Sequence, residues 1–105
     1  MVDRQPDVIA LSYLLRDPSA RWDERDDAAM LLGRSDDPAA LALLLELARD
    51  PAEDELVVAS SGESIAEIAV RTGAFERAWL EDLRPEAVAE ILPWLTRARP
   101  DLLFR

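Results

Sequence analysis

An all-α fold is what this 105-residue sequence predicts, on three observations. Prolines stand beside acidic residues where helices would start, and glycines stand where they would stop. Apolar residues recur with a helical period. Signals for strands are nearly missing: Leu56-Val57-Val58 is the one β-branched cluster, and it lies inside a longer helical pattern. The length suits one domain, and with half its residues hydrophobic the chain can build a core.

Six helices are expected. The first, Asp7–Arg16, follows Pro6 and carries Val8, Leu11 and Leu15 on one stripe with Leu14 beside it. The second, Trp22–Leu32, comes after Asp17-Pro18 and stops at Gly33. The third, Pro38–Arg49, is capped by Asp37 with proline in the first turn, where its missing N–H costs nothing. From Pro38 to Ala48 it is apolar nearly all round, which predicts a position in the middle of the structure. Asp50-Pro51 reads as the cap and entry of the fourth, Glu53–Thr72, which ends at Gly73. Gly62 inside it costs about 1 kcal/mol relative to alanine, which a second helix packed close against it would offset. The alternative is a partner's backbone at that spot. A short fifth helix, Phe75–Leu83, leads to the sixth, Pro85–Arg97, which Pro93 should kink or restart.

The elements also repeat. Leu11-Ser-Tyr-Leu-Leu-Arg-Asp-Pro18 recurs as Leu44-Leu-Glu-Leu-Ala-Arg-Asp-Pro51, and Asp27-Ala-Ala-Met-Leu-Leu32 echoes as Glu63-Ser-Ile-Ala-Glu-Ile68. Each unit is two helices that cannot bury their own apolar face, so units stack. Arg25-Asp-Asp-Ala28-Ala29-Met-Leu-Leu32-Gly33, then Asp37-Pro38, then Leu41, Leu44 and Asp50 resemble the HEAT-like repeat family. The resemblance covers about residues 7–72. It implies a short right-handed HEAT-like α-solenoid of about three antiparallel helical hairpins over residues 1–105, the last unit degenerate. Ser61 falls where Arg25 sits in the first copy, and the third copy lacks the Asp-Pro turn. Such repeats mostly make protein contacts; some belong to lyases that attach bilins.

Composition excludes more than it assigns. There is no cysteine, no histidine and no lysine, and all 12 basic residues are arginine. Disulfides, thiolate metal sites, a histidine base and Schiff-base chemistry are thereby ruled out. A deep cleft for paired-carboxylate hydrolysis does not suit a thin helical stack, and no loop has EF-hand spacing. The expectation is a non-enzyme without cofactor or metal. No apolar run approaches the ~20 residues of a membrane span, and no secretory leader is visible, so a cytoplasmic location is expected. A net charge of −10 argues against direct nucleic-acid binding.

That charge is segregated. Between Asp23 and Asp37 stand six carboxylates against Arg25 and Arg34, and between Asp50 and Val70 six more against no arginine; these windows account for the whole excess. Both centre on the second helix of a unit, and second helices of a solenoid line one face. Asp27 aligns with Glu63 in the repeat register, Asp26 is its neighbour, and Glu67 extends the stripe by a turn. Like charges one turn apart cost a few tenths of a kcal/mol. The residues expected to bind a partner are therefore Asp26, Asp27, Glu63 and Glu67, with Ser60 and Ser64 as hydrogen-bonding neighbours and Trp22 as an anchor. The expected partner is a basic protein, and the concrete form is an immunity- or antitoxin-type inhibitor of a cationic, nuclease-like toxin. The alternatives are a scaffold subunit that binds through apolar surface, and carboxylates that only solubilise the chain. Asp37 and Asp50 are set aside as caps.

Overall fold

Helical punctuation turns into helices almost residue for residue in a computed structural model that describes residues 5–104. The elements are α1 (Val8–Arg16), α2 (Trp22–Leu32), α3 (Pro38–Arg49), α4 (Glu55–Thr72), α5 (Trp79–Asp82) and α6 (Pro85–Ala98), closed by a 3₁₀ turn at Pro100–Leu103. No strand occurs among the described residues. No described helix is long and apolar enough to cross a membrane.

The helix starts are set by carboxylates that satisfy otherwise unpaired N–H groups. Asp7 accepts from the Ala10 N–H and Asp37 from the Ala39 N–H. The fourth helix corrects the sequence reading. Its cap is Asp54, which accepts from the N–H groups of Leu56 and Val57, and not Asp50. Asp50 instead closes α3, and its carboxylate accepts from the Ala52 N–H. Asp17 does the same after α1, accepting from the hydroxyl and N–H of Ser19, which hold its carboxyl below the usual range. In Asp-Pro, the residue before proline is pushed out of the helical region, so the aspartate ends one helix and folds the turn. Asp54→Ala should therefore lower stability by about 1 kcal/mol, read as a fall of about 5 °C in melting temperature followed by circular dichroism.

Helix α4 is the hub. It packs against α2, α3 and α6, while α1 packs on α2 and α3. The molecule measures 40 × 39 × 18 Å, and its short dimension is about two helix diameters, so the helices lie in two layers. The apolar α3 was expected in the middle, yet it leaves Ala39 and Ala42 exposed. Burial of α4 is more complete, at ten of its 18 residues, among them Ser60, Ser61, Gly62 and Ser64. Small side chains let helices approach closely, whereas an exposed alanine costs little. Gly62 is the tightest point: a Cβ built there would lie 2.6 Å from both the Cα and the carbonyl oxygen of Ala87 on α6. Close helix approach is therefore the reason for this glycine. By contrast Gly73 ends α4 in the left-handed conformation, at φ 79°.

The restart considered at Pro93 and the length of the fifth helix are corrected. Helix α6 is not restarted at Pro93 but runs through it to Ala98. Pro93 and Ala89 are both exposed, so the carbonyl freed by the missing N–H can turn to water. The fifth helix is only Trp79–Asp82, because Phe75 turns inward and meets the Trp79 ring edge-on at 5.4 Å.

Arginine does much of the clamping between helices. The Arg25 guanidinium donates twice to the Leu15 carbonyl that ends α1, at 2.8 and 3.1 Å, and once to Glu53 at 2.7 Å. That carboxylate raises the pKa of Arg25 further. Arg71 donates to the carbonyls of Gly33 and Ser35 after α2, and Arg84 to those of Asp50 and Glu53 before α4. Arg99 reaches the Val70 carbonyl in the last turns of α4. Unpaired helix-end carbonyls need several donors at fixed angles, which the planar guanidinium supplies and an ammonium does not.

Candidate functional site: an acidic groove across three helices

Helices α2, α4 and α6 leave a groove of about 510 Å³ between them. From α2 it is lined by Asp27, Met30 and Leu31, with Arg34 just beyond; from α4 by Glu63, Ser64 and Glu67; from α6 by Trp94. Helical spacing explains the grouping. Asp27 and Leu31 are one turn apart on α2, as are Glu63 and Glu67 on α4.

The three carboxylates of the groove are not neutralised. Seven other acids pair with arginine: Asp23, Asp36, Glu46, Glu53, Asp82, Glu86 and Asp101. Glu53 belongs to the window without arginines in sequence, but Arg25 reaches it in space. Among the described residues, Asp27, Glu63 and Glu67 have no guanidinium within 4.0 Å, although Arg34 lines the same groove. Glu67 lies over the end of α2, its Oε2 only 2.6 Å from where a Gly33 Cβ would stand. The last turn of α2 holds no basic residue of its own, but Arg71 donates to the Gly33 carbonyl just beyond it and so offsets the negative end of the helix dipole. Gly33 itself is in the right-handed region, at φ −62°, so this glycine serves the close approach of Glu67 and Ser64 rather than a left-handed cap.

The residues expected to bind a partner divide into two groups. Asp27, Glu63 and Glu67 come together in the groove. Ser60 and Ser64 are buried and spend their hydroxyls inside the protein, Ser64 at the inner wall of the groove. Ser64 is 2 % exposed, and its hydroxyl donates to the carbonyls of Ala29 at 2.7 Å and Met30 at 3.3 Å. Ser60 is 8 % exposed and donates to the carboxylate of Asp26, so these two are engaged with each other. Both serines lie on the side of α4 that packs on α2, and a hydroxyl buried there must find an internal acceptor. Trp22 is 58 % exposed at the start of α2 and does not line the groove. Trp94 does, half-buried, together with Met30 and Leu31, which are 44 % and 40 % exposed. The sequence reading missed these three; for Trp94 the reason is that which side of α6 meets α4 is decided by the Gly62–Ala87 contact and not by periodicity.

The arrangement suits recognition of positive charge. No group of three carboxylates among the described residues is close enough to hold a metal ion. No family model, no curated protein and no solved structure matches the chain.

Proposed function

We propose that the protein is a protein-binding module whose acidic second-helix face receives a basic partner, as an immunity- or antitoxin-type inhibitor does with a cationic, nuclease-like toxin. Three carboxylates converging on one groove without an arginine on any of them carry this reading. A chain that, among the described residues, pairs seven of its acids with arginine yet leaves these three together in one groove keeps an unfavourable field there, which a basic partner relieves. A HEAT-like solenoid is the architecture we propose for it. The neighbouring packing of α2, α4 and α6, the two-layer thickness and the recurrent Asp-Pro turns support that architecture. In it, the inhibitor covers the partner's nucleic-acid site without binding nucleic acid itself, inside the cell and without a cofactor.

Glu63→Gln combined with Glu67→Gln tests the reading against Asp37→Ala. The glutamine pair removes a like-charge contact, so it should melt no lower than wild type and lose at least about tenfold in affinity for a basic partner at physiological salt. Asp37→Ala should lose about 1 kcal/mol of stability and bind as wild type. Unchanged affinity of the glutamine pair would reduce the groove to solubilising surface. A scaffold role is favoured by a different observation: Ile9 and Tyr13, one turn apart on α1, are 71 % and 76 % exposed. Binding through them would depend little on salt, whereas binding in the groove should weaken steeply with it.

A further inference from the structure

We infer that the groove receives an arginine side chain of the partner, with its guanidinium against the Trp94 indole and its N–H groups on Asp27 and Glu63. This deepens the proposed function and rests on it. A bare acidic patch would attract any cation, but this groove combines its carboxylates with Trp94, Met30 and Leu31. An ammonium ion holds its water tightly and gains little from apolar walls. A guanidinium is planar, weakly hydrated and able to stack on an indole while it donates two parallel hydrogen bonds to a carboxylate.

Trp94 is half-buried against the core, and the part of it left open lines the groove. It also lines a neighbouring depression with Glu63, Glu90 and Arg97, so it stands between the groove and a second, mixed-charge surface. The only aromatic pair among the described residues is Phe75 with Trp79, which leaves the Trp94 ring unstacked. The trough then continues past Leu31 and Arg34 into a depression of about 320 Å³ lined by Pro6, Ala10 and Leu11. A partner segment with an apolar residue near its arginine would cover Leu31 and extend toward α1. Arg34 sets a limit, because its positive charge at the α1 end disfavours a second cation there. The fit is one arginine flanked by apolar residues.

Capped hexa-arginine and hexa-lysine peptides, equal in formal charge, are titrated calorimetrically into the full chain at low and at physiological salt. The arginine peptide should bind about tenfold tighter. Trp94→Leu should remove that preference by weakening the arginine peptide alone, and leave the lysine peptide within about twofold. Trp94→Phe, which keeps a ring in the same place, should retain most of the preference, with thermal melts reporting the fold of each variant. Equal affinity of wild type for the two peptides, or a preference that survives in Trp94→Leu, overturns the inference. The glutamine pair separates the two levels. If it weakens both peptides while the arginine preference is absent, the groove still binds cations and only the arginine assignment falls. If neither peptide responds to it, the acidic-groove reading falls, and this inference with it.

Discussion

Gly62→Ala is expected to destabilise the protein by about 2 kcal/mol, although alanine is the better helix former by about 1 kcal/mol. The new methyl would overlap the Cα and carbonyl oxygen of Ala87, both at 2.6 Å, and the carbonyl carbon at 3.0 Å. A flexible side chain could swing away, but here the obstacle is the backbone of α6, so the helices must separate. Separation loosens a buried seam that includes Ile65, Ala66 and Ile91. Gly62→Val adds two more carbons and should cost about 4 kcal/mol, a large part of the stability of a domain this size. Thermal melts should fall by about 10 °C for alanine and further for valine. A Gly62→Ala variant as stable as wild type would mean that α4 and α6 lie farther apart than described.

Arg25→Met should cost about 3–5 kcal/mol, for a different reason. The side chains of Arg25 and Glu53 are 16 % and 8 % exposed, so removing the cation leaves a carboxylate out of water and unpaired. The Leu15 carbonyl loses both its guanidinium donors at the same time. Arg25→Met with Glu53→Leu should recover part of the loss, because the charge left behind is then gone; a double-mutant cycle by thermal or urea unfolding measures it. Arg25→Lys should recover less than wild-type stability, since one ammonium cannot reach the carbonyl and the carboxylate with the same fork of donors. The raised pKa of Arg25 has a definite sign: its contribution is complete below the ordinary guanidinium range and fades only as pH rises through the raised value. Between pH 6 and 9 the cost of Arg25→Met should therefore show no dependence on titration of this arginine.

The two predictions concern residues that the sequence marks unequally. A glycine inside a helical pattern already points to close approach, so Gly62 was readable as a contact, though not as a contact with Ala87. Arg25 stands among Asp23, Glu24, Asp26 and Asp27, where counting charges pairs it with its neighbours in sequence. Its true partners lie 10 and 28 residues away, on the α1 end and the α4 entrance.

Local chemistry was enough for the helices themselves. Proline's fixed φ, the carboxylate caps at Asp7 and Asp37 and the left-handed stop at Gly73 act over a few residues, so all six helices and most of their ends are legible in the sequence. The ambiguity at Asp50 is of the same local kind: an aspartate before proline can cap a helix or end one, and the spacing to Asp54 decides. The alignment of Asp27 with Glu63 was legible too, because equivalent faces of neighbouring helices follow from the repeat. Tertiary structure alone decided the rest. Rotating a helix about its axis changes no local term, so only packing could turn Ser60 and Ser64 inward onto Asp26 and the Ala29 carbonyl. Packing likewise brought Arg25 to Glu53, and it set Trp94 of α6 at the edge of carboxylates contributed by α2 and α4.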